Sequence, residues 1–374
     1  MQTRRSGGHP HPADPLQQRL GAGFEAAVDR ARASRGARGG DARLGPRRAG
    51  RAGGTRRFLA CWMGSLALLA CLAPWRAAPA QTRRPGPAAS PPGADAAAGD
   101  SVARHWSLAR PLLRVVDGDT LDVDLDGNGR LEPPGERLRL LFIDTPELHS
   151  SPKGQDLAHG LPAKAALERL VAGEALEIRV LQGNERDRYG RTLALLQAGT
   201  VQVNLELIRL GHTPFDARFA FPADYDAYVR AEAEAFAAQR GIWGDAPSRR
   251  RYLLRLRKEG RTPQAAANPL FVPGVQDVGA LDPGRALGRY VIVTAIALER
   301  RPLRKGVWLV KLGDALQRTS RTLNAVVFRG QAQRLGVPAW PRAAPLHAEG
   351  FIARYKGRFE LQLHYARLTG SPSR

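Results

Sequence analysis

The chain has 374 residues, enough for about two folded domains at ~150 residues each, and 43% of them are hydrophobic, which is ample for real cores. A formal net charge of +22 calls for an anionic partner, whether nucleic acid, anionic membrane or acidic polymer. The only two cysteines, Cys61 and Cys71, lie in the apolar run Phe58 to Leu72, which excludes disulfide and thiol chemistry from a mature chain cut after Ala80.

Residues 1–57 are rich in Gly, Arg, Ala and Pro without apolar periodicity and read as a disordered basic leader. Arg56-Arg57, the apolar run Phe58 to Leu72 and Ala78-Pro79-Ala80 then form a secretory signal pattern over 58–80. The run is short of the ~20 apolar residues that a transmembrane helix needs. It predicts a secreted, periplasmic or cell-envelope protein with no membrane span after cleavage. Leu68-Leu69-Ala70-Cys71 also resembles a bacterial lipobox, in which Cys71 would carry a lipid anchor; plain secretion ranks ahead because Leu69 is uncommon there. Residues 81–107 read as a linker.

Charge is unevenly spread along the rest. Residues 81–245 hold 19 Lys/Arg against 24 acids, and residues 246–374 hold 24 Lys/Arg against 7 acids. Chemistry and polyanion capture are therefore expected in different modules. Leu112 to Val116 and Leu121 to Leu125 are β-rich runs joined by a Gly-Asp turn, which predicts a hairpin. Arg137 to Ile143, Ala175 to Leu181 and Thr192 to Gln197 are further strands. Helices are predicted over Leu161 to Val171, with Pro162 in its first turn, over Val203 to Leu210 and over Tyr225 to Gln239. Strands with helices interposed and appended predict a mainly β, α+β unit over 108–245, a small barrel with three packed helices.

Three stretches of this unit carry its chemistry: Val115-Val116-Asp117-Gly118-Asp119-Thr120, Arg139-Leu140-Leu141-Phe142-Ile143-Asp144-Thr145-Pro146-Glu147 and Asp187-Arg188-Tyr189-Gly190-Arg191. They supply carboxylates suited to a hard cation, a carboxylate that could serve as base and two arginines able to hold a charged phosphorus centre. Singly, each fits a structural role as well: Asp119 a turn, Arg137 and Arg139 a solvated face, Asp144 to Glu147 an N-capping turn. In this order and spacing they resemble the signature segments of the staphylococcal-nuclease-like (thermonuclease) family. The resemblance covers about residues 108–245, including the ending Gly241-Ile242-Trp243. It implies a Ca²⁺-dependent nuclease on an OB-like five-stranded barrel, acting on DNA and RNA with little sequence preference. Carried over, Asp119, Asp144 and the carbonyl of Thr145 would ligate Ca²⁺, a cation that takes 6–8 hard oxygens. Glu147 would orient or deprotonate the attacking water. Arg139 and Arg191 would hold the phosphate and stabilise the transition state, and Arg188 and Tyr189 would lie near the bound nucleotide. The alternative is a catalytically inactive nucleic-acid-binding protein on the same scaffold.

Two features depart from the family's simplest form. Asp124, Asp126 and Asn128 followed by Gly129 have the spacing of a calcium loop, but the twelfth position is Gly135 and the acid falls one later, at Glu136. A second structural Ca²⁺ site and an acidic Gly-Asn hairpin turn both fit these residues. The family's tyrosines after the second helix are replaced by Gly211-His212-Thr213-Pro214-Phe215.

Residues 246–284 read as a basic strip, with a helix as one form open to 249–261, followed by a linker at 262–284 rich in Pro, Ala and Gly. From 285 to 370, five alternating β runs predict a second, small OB-type barrel. Gly-Arg-Tyr-Val-Ile-Val at 288–293 and Tyr-Lys-Gly-Arg-Phe-Glu-Leu at 355–361 resemble OB-fold nucleic-acid-binding modules. Such modules stack bases on aromatics within a basic groove. Trp308, Phe328, Tyr355, Phe359 and Tyr365 are the stacking candidates, and Lys311, Arg354, Lys356 and Arg358 the phosphate candidates. About half of these aromatics must face the core, because strand side chains alternate. No protein partner can be inferred.

Overall fold

The computed structural model describes residues 101–148 and 156–370. The leader, the signal pattern at 58–80 and the lipobox cysteine lie outside the described residues. No described helix is long and apolar enough to cross a membrane.

The first sheet is built from β1 (Val102–Leu108), β2 (Leu113–Asp117), β3 (Thr120–Val123), β4 (Arg137–Leu140), β5 (Leu176–Leu181) and β6 (Thr192–Ala198), in the order β1-β5-β6-β4-β3-β2, with the short β7 (Val201–Gln202) on β6. Period-2 patterning sets which side is buried. Leu138 and Leu140 of β4, and Leu176, Ile178 and Val180 of β5, point inward, while Arg137, Arg139, Glu177 and Arg179 alternate with them. The inner face packs against α1 (Leu157–Val171), α2 (Val203–Arg209) and α3 (Tyr225–Ala237), which contribute Leu167, Leu207, Ile208 and Tyr228 to the core. Omitting the outer strand β1, the five strands run 1-2-3-5-4 with one parallel pair, β4 with β6. This is the OB-type order.

The same order recurs downstream. β9 (Tyr290–Pro302), β10 (Trp308–Gly313), β11 (Thr322–Val327), β12 (Ala344–Tyr355) and β13 (Arg358–Leu368) run β10-β11-β13-β12-β9 and close through β10–β9 pairing, again with the third and fifth strands parallel. A short helix, α5 (Arg329–Arg334), follows β11.

Three boundaries differ from the sequence reading. The linker assigned to 81–107 already contains β1, which extends the first sheet antiparallel to β5. Helix α1 begins at Leu157 rather than Leu161, because the Asp156 carboxylate accepts the His159 N–H and caps it, leaving Pro162 inside the helix. The linker assigned to 262–284 contains β8 (Phe271–Asp277), parallel to β9, while the basic strip before it takes the helical form open to it, as α4 (Ala246–Lys258). An edge position tolerates Pro273 and Gly274 in β8, so turn-like composition hid a strand. Asn268 holds the approach to β8: its Nδ2 donates to Thr262 Oγ1 at 2.8 Å and to the Pro263 carbonyl at 2.6 Å.

The two barrels are packed within one compact unit, Gly93–Arg374. Tyr225 of α3 stacks on Tyr365 of β13 with ring centroids 3.7 Å apart. Buried Glu349 of β12 accepts hydrogen bonds from Tyr225, Tyr290 and Gln264. Between α4 and β8, Arg261 is buried against Glu232 of α3 at 2.8 Å and also bonds the Phe215 carbonyl. Tyr365 is therefore interface, not a stacking platform for bases. Removing Arg261 strands the Glu232 charge in the interior. Arg261→Ala should destabilise the chain by about 3–5 kcal/mol, read as a fall in the urea midpoint.

Candidate active site

The β2–β3 hairpin, β4 and the loop after β4 converge on one buried polar cluster. Thr120 pairs directly opposite Arg139, and the Leu140 N–H bonds the Asp119 carbonyl at 2.9 Å, so sheet register alone sets Asp119 beside Arg139. Helix α1 seals the hairpin turn: a Cβ at Gly118 would come 2.7 Å from the Ala163 methyl, so the close approach requires glycine. After β4 the chain turns through Phe142, whose φ of 63° is unusual for a residue with a Cβ. Packing offsets that strain, since the Phe142 ring lies edge-on to Tyr228 at 5.4 Å and to Phe215 at 6.5 Å. The turn sends Asp144 back toward Arg139, and the Asp144 N–H is fixed by Thr213 Oγ1 at 2.9 Å.

Arg139 is the centre of the cluster. Its Nη1 donates to the Leu140 and Ile143 carbonyls at 2.8 and 2.9 Å. Its Nη2 lies 3.1 Å from Asp144 Oδ1 and 3.2 Å from Asp119 Oδ2. Thr145 donates both its N–H (2.8 Å) and its hydroxyl (3.0 Å) to Asp119 Oδ2. Asp119, Asp144, Thr145 and Arg139, four of the candidates, are thus brought together. Glu147 is half-buried beyond Pro146, and its carbonyl accepts the Asp156 N–H at 2.9 Å, which ties the loop to the cap of α1.

The β5–β6 loop forms a second group. Asp187 holds Arg191 through its Nε at 2.7 Å and its backbone N–H at 3.0 Å. The Arg188 and Arg191 guanidinium carbons lie 4.7 and 5.5 Å from the Tyr189 ring centre, and that ring is 62% exposed. Two cations on one exposed aromatic make a platform suited to a base and its phosphates.

Two residues at Asp144 went unread in the sequence. Arg218 donates to Asp144 Oδ2 at 3.0 Å and is itself held by Asp216 at 2.6 Å. Arg255, from α4, bonds the same Oδ2. Asp216-Ala217-Arg218 gave a weak local signal, a carboxylate two residues before an arginine. Arg255 lies 111 residues from Asp144, and no spacing could have paired them.

The donor set fits a hard divalent cation. Asp119 and Asp144 are both nearly fully buried and adjacent, with the Thr145 backbone beside them. Burial pushes the Asp119 carboxyl up to about 6, against the pull of Arg139, with Asp117 and Asp144 adding to the rise. A carboxylate whose charge its surroundings leave under-compensated is a natural cation ligand. Nucleases of the family described below work with a metal ion, and Asp119, Asp144 and Thr145 are the residues here that would hold it.

The predicted calcium loop closes differently from its spacing. Oxygens of Asp124, Asp126 and Glu136 lie within 4.8 Å of one another, so Glu136 joins the group in spite of its offset. Asn128 instead donates its amide to Asp126 at 3.2 Å and accepts the Arg130 N–H at 2.8 Å. The same carboxylates are held by the chain's own amides: Asp124 by Gly127, Asn128 and Gly129, and Glu136 by Leu125 and Glu132.

On the second barrel, Trp308 opens β10 and is half-buried against the core, while Lys311 is exposed. Tyr355, Lys356 and Arg358 are exposed around the β12–β13 turn, and Lys356 Nζ lies 5.7 Å from the Tyr355 ring centre. In five-stranded OB barrels the loop between the first two strands and the loop between the last two border the oligonucleotide face. Trp308 follows the first of these loops, and Tyr355, Lys356 and Arg358 surround the second. Phe359 is half-buried against the core, and Phe328 is exposed.

The raised Asp119 pKa has a stability consequence. Protonation of Asp119 favours the folded state, so its contribution is present below its ordinary value of 3.8 and lost as the pH rises through about 6. Asp119→Asn should therefore gain stability on the wild type as the pH climbs from about 4 to about 7 in EDTA. Urea midpoints that keep the same separation at both ends of that range would contradict the assignment.

Comparison with known proteins agrees with this geometry. The staphylococcal nuclease homologue family model matches residues 137–245. A thermonuclease of Staphylococcus intermedius is 31% identical over 136 residues, which is 35% of this chain and 74% of the relative. A thermonuclease of Staphylococcus hyicus is 31% identical over 137 residues, covering 36% of this chain and 75% of the relative. The SPbeta prophage-derived endonuclease YokF of Bacillus subtilis is 31% identical over 137 residues, covering 35% of this chain and 43% of the relative. With a nuclease-type barrel, the cluster around Arg139 and relatives matched over most of their length, the chain belongs to the staphylococcal nuclease family.

Proposed function

We infer that this nuclease hydrolyses phosphodiester bonds of DNA and RNA with little sequence preference, using Ca²⁺ held by Asp119, Asp144 and the Thr145 carbonyl. The observation that carries the reading is Arg139 Nη2 lying between two buried carboxylates, 3.1 and 3.2 Å away. Ca²⁺, when bound, supplies a Lewis acid that polarises a phosphoryl oxygen and makes water more acidic. With a cation held by Asp119 and Asp144, Arg139 would be able to turn its Nη2 from the carboxylates to a phosphate oxygen. Arg191, pre-oriented by Asp187, supplies the second charged fork, and the pair stabilises the extra negative charge of the pentacoordinate transition state. Glu147 orients the attacking water and takes its proton. Tyr189 and Arg188 receive the adjacent nucleotide.

The second barrel then holds single strands, with Trp308 and Tyr355 stacking bases and Lys311, Lys356 and Arg358 on phosphates. The pattern at 58–80 supports export to the periplasm, envelope or medium. N-terminal sequencing of the mature chain should read Gln81; a lipidated Cys71 in its place would mark an anchored form.

Cleavage of a fluorescent single-stranded DNA should require Ca²⁺ and stop in EGTA. Glu147→Gln should lower kcat by roughly 10²–10⁴, as for a lost general base. Arg191→Ala should lower it by about 10²–10³, as for a lost transition-state donor. A folded chain that binds DNA and RNA but cleaves neither would turn the reading into that of an inactive binding protein.

A further inference from the structure

Helix α4 lies just beyond the stretch that the family model matches, 137–245, yet it reaches the cluster. Its sequence, APSRRRYLLRLRK, contains six cations and no acid. Arg255, Arg257 and Lys258 suit the C-terminal end of the helix dipole, but Arg249, Arg250 and Arg251 crowd its positive N-terminal end, an arrangement that opposes folding. The helix is nonetheless rigidly seated. Asp245 caps it by accepting the Ser248 N–H at 2.8 Å, and Tyr252 and Leu256 are buried with Trp243 and Phe236.

The other side is what the helix presents. Arg251, Leu254, Arg255 and Lys258 recur at the three- and four-residue spacing of a single face. With Pro247 and Arg250 they line an open cavity of about 570 Å³, within the roughly 300–1,000 Å³ of ligand clefts. Two of these side chains tie the face to the active-site loop from either side of Glu147: Arg255 bonds Asp144, and Arg251 bonds Asp156, whose N–H holds the Glu147 carbonyl. From Arg251 to Lys258 the helix rises about 10 Å, so its cations are spread along a line rather than gathered at one point.

We propose that this face of α4 is a phosphate track, along which the backbone of a single-stranded polynucleotide runs out of the catalytic cluster. Arg255 is the junction. Arg250, Arg251 and Lys258 bind successive phosphates, and the exposed Leu254 gives apolar contact to a sugar or base. The proposal rests on the nuclease reading for its substrate class, and it assigns part of the strand's path to a helix outside the matched family segment.

The test is the salt dependence of binding in EDTA, where no cleavage occurs. The probe is a fluorescein-labelled oligothymidylate, measured by anisotropy with the full chain. The triple variant Arg250→Gln, Arg251→Gln, Lys258→Gln removes three of the four cations that line the cavity and leaves Arg255 on Asp144; because Arg251 also bonds Asp156, the double variant Arg250→Gln, Lys258→Gln is measured beside it. The charge-matched control is Arg104→Gln, Arg110→Gln, Arg130→Gln, three exposed arginines of the first barrel that do not line the cavity. At ~0.7 per phosphate for single strands, the α4 triple should reduce the slope of log K against log salt by about 2. At 0.1 M salt its affinity should fall by roughly tenfold to a hundredfold. The control should shift the slope far less. An α4 triple that binds within about twofold of wild type, or a control that loses as much, overturns the track. A wild type that binds as expected but never cleaves when Ca²⁺ is added leaves the track standing and sinks the nuclease reading instead.

Discussion

The Asp144 carboxylate is the point on which the rest of the structure depends. Three arginines from three separate segments end on it: Arg139 from β4, Arg218 from the loop before α3 and Arg255 from α4. A nearly fully buried charge without partners would cost several kcal/mol. Here the cost is met by drawing distant parts of the chain to one place, so the charge that serves the chemistry also fixes where the surrounding loops lie. The neighbouring carboxylate, Asp119, shares only one of these arginines, and burial pushes it up to about 6. The two acids thus differ: one saturated by arginines, the other under-compensated. A cation entering the pair would gain most from Asp119 and would compete with arginine at Asp144.

Around this centre the chain is organised as two OB-type sheets joined by a wedge of α4 and β8. The wedge is not a tether. Arg261 is buried against Glu232, and Tyr225 stacks on Tyr365 across the barrels. α4 runs from the last turn of the first barrel, Gly241–Trp243, toward β8 on the second, so its orientation is fixed by packing at both ends. Cations on such an element hold their positions without the entropy loss that a flexible basic tail suffers when a polyanion orders it.

Much of this was legible in the sequence, for identifiable reasons. Asp119 and Arg139 sit on a hairpin and the strand beside it, and Asp144 and Glu147 on the loop that follows that strand, so all four fall within two short stretches of sequence. The strands of both barrels were legible because alternation marks them, as at Leu138 and Leu140, whereas their OB arrangement was implied by family resemblance. What escaped depends on tertiary packing. β8 carries Pro273 and Gly274 within its seven residues, so its signal was that of a turn. The strand β1 has a mostly exposed burial pattern and no alternation strong enough to announce itself. Tyr365 looked like a base platform, because nothing along one strand says that Tyr225 will cover it. Arg255 looked like one cation in a run, and only the fold distinguishes it from Arg249.

That distinction bears on how the acidic and basic parts of the chain work together. The first barrel carries the buried carboxylates Asp119 and Asp144, and they would repel a polyanion approaching from solution. Arginines lie over them: Arg139 and Arg218 within the barrel, Arg255 at the edge where α4 begins its basic face. A phosphate entering from α4 passes from cation to cation and meets the carboxylates only where Arg139 and a bound ion already neutralise them. The charge asymmetry visible between residues 81–245 and 246–374 is therefore resolved at one helix, which belongs to the basic half by sequence and borders the acidic site in space.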